Sequence, residues 1–379
     1  MLPLEKTTVP VIQHSPEYAS RWSKERAYEW LEQNGWLVGC NYIPSNAINQ
    51  LEMWQEETFS PFLIDKELSW AASLGFNTIR VFLHDLLWQQ DAEDFLNRID
   101  QFLAIANKHG IKTMLVLFDA VWDPFPKLGK QRKPKLNVHN SGWVQSPGFK
   151  ILNDPTKYDS LQGYVQGVVG RFANDERVLI WDVFNEPDNM NLGSYKDTLY
   201  IMHKAELSLM LLKKAISWIR EINPIQPLTS APWQWIDTTM LSTIDHFMFT
   251  HLDIISFHCY ENKKGLEKRI LELKQFDRPM LCTEYMARPF GSTFKDVLPI
   301  LKKHNVGAYN WGFVAGKSQT HCAWDSWVLA SKYEPQLWFH DIFRTNGEPY
   351  NQKEVDFLKK ITKKEVKQPL QTVPQLEIA

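Results

Sequence analysis

The chain has 379 residues, of which 44% are hydrophobic, and its 42 Lys and Arg against 44 Asp and Glu leave a formal net charge of −2. That balance excludes a nucleic-acid partner held by bulk positive charge, the apolar content excludes a disordered chain, and no apolar run is long enough to expect a membrane partner. What the composition does carry is an aromatic excess, 16 Trp within 13% aromatic residues, which suits a ligand with a flat apolar face.

In chain order, the N-terminus MLPLEKTTVP lacks the apolar stretch of a secretory leader. The sequence as written therefore reads as cytoplasmic, and as secreted or periplasmic if a leader has been removed. After an N-terminal extension over residues 1–30, short apolar runs alternate with segments of helical period. The runs cover residues 36–43, 78–83, 113–118, 178–184, 227–233, 254–260, 279–285 and 308–313. Several are almost continuously apolar, MLVLF being the clearest, as expected of parallel strands buried on both faces.

The intervening segments repeat apolar residues at helical spacing. Phe95, Leu96, Ile99, Phe102, Leu103 and Ala106 share one face, as do Leu161, Tyr164, Val165, Val168, Val169 and Phe172. Leu266, Ile270 and Leu273 form a third stripe, and Phe294, Val297, Leu298 and Leu301 a fourth. Gly163, Gly167 and Gly170 weaken the second of these helices by about 1 kcal/mol each relative to Ala, so it must be held by docking.

Eight strand and helix alternations with no Gly/Ser linker predict an α/β fold, a closed (β/α)8 TIM barrel filling a single domain over 1–365, with a polar mobile tail over 366–379. A doubly wound open sheet is the alternative, but its Gly-rich phosphate turn is missing from VGCNYIPSN. Long loops at 119–155 and 312–337 follow strands at the barrel end where active sites form. The basic run 127–135 is broken by Pro and Gly and reads as a solvated loop. Cys40, Cys259, Cys282 and Cys322 are scattered, signalling neither a disulfide framework nor a zinc site.

Two strands end in a carboxylate. In WDVFNEP the apolar run gives way to Asn185 and Glu186, and Pro187 stops strand pairing. In LCTEYMARP the seventh strand delivers Glu284 to the same rim. Strands four and seven lie across the mouth from one another, so the two acids can face each other. Glycoside hydrolysis requires such a pair, one protonated to assist the leaving oxygen and one ionised to engage the sugar carbon.

Together these motifs resemble glycoside hydrolase family 5 and the wider clan A of retaining β-glycosidases, over nearly the whole chain from Trp36 to Phe343. The resemblance implies that Glu186 is the acid/base, that Asn185 contacts the sugar 2-hydroxyl and that Glu284 is the nucleophile. It further implies that Arg80 in NTIRVFL keeps Glu284 ionised, that His258 and Tyr260 in SFHCY form the strand-six His-x-Tyr, and that Trp311 in YNWGF is a sugar platform. One departure stands out. Where many members carry His at the end of strand three, this chain has Asp119, followed by Asp123, and Asp119 is expected to accept hydrogen bonds from a sugar. Trp122, Trp143, Trp233, Trp235, Trp324 and Trp327 fall in strand-end loops, and Trp122 and Trp233 are expected to stack on substrate.

The function expected is hydrolysis of a β-linked glycoside in β-mannan, β-glucan or a related oligo- or polysaccharide, with no cofactor and no metal. Two alternatives compete. A metal-dependent barrel hydrolase would use Asp119, Asp123, His84, His139 or His258, although none has H-x-H or H-E-x-x-H spacing. An inactive sugar-binding barrel would have no use for both glutamates and Arg80. The sequence leaves open the sugar, internal or terminal cleavage, and the oligomeric state.

Overall fold

A computed structural model describes residues 21–191, 203–235, 237–329 and 331–363. The eight expected runs each hold a strand: β1 Val38–Asn41, β2 Thr78–Phe82, β3 Lys112–Asp119, β4 Val178–Asn185, β5 Leu228–Thr229, β6 Ile255–His258, β7 Met280–Tyr285 and β8 Gly307–Asn310. All pairings between them are parallel, in the order β5-β4-β3-β2-β1-β8-β7-β6. The remaining seam is bridged by the Asp253 and Ile254 N–H groups donating to Leu228 O and by Thr229 Oγ1 donating to Ile254 O. The result is a (β/α)8 barrel. β5 is shorter than expected because Pro232 has no N–H to give a ladder.

The helices dock as their stripes require. Phe95, Leu96, Ile99, Phe102, Leu103 and Ala106 are the buried residues of the helix Ala92–Lys108, whose first turn is capped by Asp91 accepting from the Asp94 N–H at 3.0 Å. In the helix Gln162–Arg171, Gly167 has a packing reason: a Cβ there would lie 1.9 Å from Trp88 Cη2. Docking of an indole ring onto the bare backbone thus offsets the lost helix propensity. Gly39 does similar service at the β1–β2 seam, where a Cβ would sit 1.7 Å from Thr78 O.

At the N-terminal ends of the strands, Leu37, Met114, Ile180, Ile254, Leu281 and Tyr309 form a separate apolar plug inside the ring. Above it the interior turns polar, with Asn41, Arg80 and Asp182 all buried. Higher still the mouth opens among the strand-end loops. The loop after β3 carries the basic run, largely exposed, with Arg132 paired to Asp123 at 2.9 Å. All four cysteines are free and buried. Of the expected N-terminal extension, 1–20 lie outside the described residues, as does the tail 366–379, while the helix Lys24–Asn34 begins within its last part. No described helix is long and apolar enough to cross a membrane.

Candidate active site

A cavity of about 610 Å³ occupies the C-terminal mouth of the barrel. Asn185, Glu186, His258, Tyr260, Glu284 and Trp311 line it, as do Trp122, Trp143, Trp233, Trp235, Trp324 and Trp327. Every strand-end Trp singled out by sequence thus meets in one place, which accounts for much of the aromatic excess.

Glu186 and Glu284 arrive from opposite sides by different local devices. Glu186 follows β4 with φ +45°, a left-handed conformation that few residues other than Gly adopt, fixed by its N–H donating to Ala231 O at 3.0 Å. β7 contains a bulge: Phe257 pairs with Cys282 but His258 pairs with Glu284, so Thr283 is an extra residue. Cys282 and Tyr285 both face the outer core, three positions apart, and the extra residue between them turns Glu284 inward. Strict alternation would have turned it away.

The two carboxylates share a neighbour. His258 Nδ1 lies 2.7 Å from Glu186 Oε1 and 3.5 Å from Glu284 Oε2, and an oxygen of each carboxylate and a ring nitrogen all fall within 4.8 Å of one another. Burial pushes both carboxyls up to about 7. Their other contacts separate them. Glu284 receives the Arg80 guanidinium at 3.2 Å and the Tyr260 hydroxyl at 2.7 Å, both favouring the ionised form. Glu186 receives the neutral Asn189 amide at 2.6 Å and no guanidinium at contact distance among the described residues. A proton shared by the pair therefore resides preferentially on Glu186.

Burial pushes His258 down to about 4, so its imidazole is neutral at neutral pH. A neutral ring can donate from Nδ1 to ionised Glu186 or accept from protonated Glu186. The 2.7 Å contact is compatible with either state, so Glu186 can lose and regain a proton without losing this partner.

Arg80 is fully buried and does not line the cavity; it lies beneath it. Its Nε donates to Asp182 at 2.9 Å, Nη1 to Asn41 and Glu284 at 2.9 and 3.2 Å, and Nη2 to Asn185 at 2.6 Å. One cation thus fixes an acceptor on β1, β4 and β7 together. The sequence reading missed Asp182 and Asn41, although an aspartate inside the apolar run LIWDVF was a signal that a buried cation had to answer it. Asn189, three residues beyond Glu186, gave no comparable signal.

Asp119 departs from expectation. It is 1% exposed and does not line the cavity; its carboxylate accepts from Asn185 at 2.9 Å, Trp143 Nε1 at 2.6 Å and Gln50 at 3.1 Å. A sugar hydroxyl has no route to it. Asp119 instead holds Asn185 and Trp143 from behind, its oxygens already occupied.

Of the residues the metal-binding alternative would use, His258 alone belongs to a group with ligand spacing. Asp119, Asp123, His84 and His139 form no ligand cluster, and among the described residues the one group with suitable spacing is Glu186, His258 and Glu284. There the Arg80 guanidinium already supplies positive charge to Glu284.

Comparison with known proteins places this geometry. Residues 45–328 match the cellulase family, glycosyl hydrolase family 5. Mannan endo-1,4-β-mannosidase A of Emericella nidulans is 28% identical over 95 residues, 25% of this chain and 22% of that protein. Probable mannan endo-1,4-β-mannosidase A of Aspergillus oryzae is 26% identical over 97 residues, 26% and 22% of the two chains. The matched stretch therefore spans about a fifth of these relatives. Among solved structures, a GH5_18 protein of Streptomyces cattleya in complex with Manβ1-4GlcNAc superposes with TM-score 0.57 at 12% identity, covering 88% of this chain and 82% of that one. An exo-β-1,4-mannosidase of Opitutaceae bacterium strain TAV5 gives 0.51 at 14% identity, over 86% and 59%. These likenesses carry the fold, and the family match covers most of the chain: it belongs to glycosyl hydrolase family 5.

Proposed function

We propose that this protein hydrolyses β-linked glycosides with retention of anomeric configuration, Glu284 acting as nucleophile and Glu186 as acid and then base. In the first step a Glu284 oxygen bonds to the anomeric carbon as the glycosidic C–O bond breaks, and the Glu186 proton passes to the departing oxygen. In the second, Glu186 takes a proton from water, whose oxygen displaces Glu284 and restores both carboxyls. The observation that carries this reading is the spacing of the pair. Carboxylate oxygens within 4.8 Å of each other leave no room for a water between Glu284 and the anomeric carbon, whereas an inverting pair, about 6.5–9.5 Å apart, holds one there.

Asn185, held by Arg80 and Asp119 and lining the cavity, is the residue assigned to the sugar 2-hydroxyl in this reading. Trp311, set edge to face against Phe82 and Trp143 at 5.9 and 5.8 Å, offers an indole for the C–H face of a pyranose. β-Mannosides are the first substrates to try, because the curated relatives are named as mannanases and one superposed structure holds Manβ1-4GlcNAc. The test is a panel of aryl β-mannosides, β-glucosides and β-xylosides, with Glu284→Ala as control and the first-formed anomer read by NMR. Turnover with the β-anomer released first is expected; no turnover of any member, or release of the α-anomer, overturns the proposal.

A further inference from the structure

The loops after β3 and β8 are joined along their length on one side of the cavity. The Asn140 N–H donates to Ser318 O at 2.8 Å, the His139 N–H to Ser326 Oγ at 3.0 Å, Trp327 Nε1 to His139 O at 2.8 Å, and the Asn137 N–H to Gln319 Oε1 at 2.7 Å. Trp122 and Trp327, one from each loop, stack with centroids 5.8 Å apart. The loop after β1 joins the same wall: Asn49 Nδ2 donates to Gly142 O at 2.9 Å and Lys317 N–H to Ser45 O at 2.9 Å. β3, β2, β1 and β8 are consecutive in the ring, and the loops after three of them are joined into one rampart on that side of the mouth.

Across the ring from it, the connection after β6 is short. β6 passes to the helix Lys263–Leu273 through residues 259–262 alone. A departing sugar needs an exit, and the short connection after β6 offers one. The ring that is attacked then lies against the rampart, where a longer chain would have no path onward.

The rampart also presents an unused polar group. Asn140 lines the cavity and is 1% exposed; its Oδ1, itself shut off from solvent, has no hydrogen-bond partner, and a turn of the side-chain amide would bring it to the cavity. Such a buried acceptor is costly unless a ligand satisfies it. We propose that the cavity is blind at this end, that the enzyme removes single sugars from non-reducing termini, and that Asn140 receives a hydroxyl of the terminal sugar that a chain-internal sugar could not bring there. The proposal rests on the glycosidase reading above and refines it.

Reducing-end-labelled oligosaccharides of whichever β-linked sugar the aryl panel turns over provide the test. Loss of one sugar at a time is expected, with no cleavage when the non-reducing 4-hydroxyl is methylated. Internal fragments, or cleavage of the capped chain, overturn the blind end while leaving the glycosidase reading intact. An inert aryl panel overturns both. Asn140→Ala should lower kcat/KM on the aryl glycoside roughly tenfold to a hundredfold, and among 3-, 4- and 6-deoxy glycosides one should lose that factor with the unaltered enzyme but nothing further with the variant. A deoxy series that loses nothing with the unaltered enzyme, a measurement independent of how the variant folds, overturns the role of Asn140.

Discussion

Replacing Tyr260 with Phe isolates what keeps Glu284 ionised. The Tyr260 hydroxyl donates to Glu284 Oε2 at 2.7 Å, a hydrogen bond to a charged acceptor inside a buried site. Such bonds are worth about 1.5–3 kcal/mol, and about 1.4 kcal/mol corresponds to one pKa unit. The bond favours the carboxylate, so its loss raises the pKa of Glu284, already pushed up to about 7 by burial. The proposed mechanism needs ionised Glu284 for attack, so activity is expected to fall as pH drops through that value. Tyr260→Phe therefore moves the acid limb of the kcat/KM profile up by about one to two units. It also shifts part of the shared proton from Glu186 to Glu284, the unproductive arrangement, lowering kcat/KM at the optimum by about tenfold to a hundredfold. The assay is a pH series with an aryl β-glycoside, checked against an unchanged thermal melt. An acid limb that stays in place while activity falls would refute the assignment, because Tyr260 would then act on substrate and not through Glu284.

Four further outcomes follow from the same geometry. Glu186→Ala should abolish turnover of unactivated glycosides yet cleave dinitrophenyl glycosides, and added azide should trap a β-glycosyl azide detectable by mass spectrometry; an α-azide would point to inversion. Asn189→Ala removes a 2.6 Å donor that favours ionised Glu186, so the alkaline limb should move up, with little change in the acid limb. Dialysis against a strong chelator should leave kcat unchanged, and dependence on an added divalent ion would revive the metal reading of Glu186, His258 and Glu284. Gly163→Ala, whose Cβ would meet Trp88 Nε1 at 3.6 Å, should raise stability by up to about 1 kcal/mol, whereas Gly167→Ala, at 1.9 Å from Trp88 Cη2, should lower it by about 1–3 kcal/mol in a denaturant melt.

The barrel was legible because its signals are local and repeated. A parallel strand covered on both faces must be apolar throughout, and a helix laid on the ring must carry a stripe, so eight strands and four stripes could be read from periodicity. Boundaries were less so. β5 keeps only Leu228–Thr229 of an apolar run that continues to Trp233, since Pro232 brings no N–H to the ladder and Trp233 turns to line the cavity. Propensity likewise misjudged Gly167, whose worth lies in an indole from a distant segment.

The site was legible at its charged residues and obscure at what holds them. Glu186, Glu284 and Arg80 could be found because a charge at the end of, or within, an apolar run demands an explanation. The inward turn of Glu284 depends on the bulge at Thr283, and pairing register against a neighbouring strand leaves no local trace. Asp119 was misplaced for the same reason. From sequence, a carboxylate at a strand end resembles an acceptor for substrate. In the fold, four donors, the Val121 N–H and the side chains of Asn185, Trp143 and Gln50, converge on it and leave nothing for a ligand. The distinction between a group that meets substrate and one that braces its neighbour is decided by where the remaining lone pairs point. By that criterion Asn140, whose side-chain Oδ1 has no partner in the wall, is the sugar contact we propose in place of that aspartate.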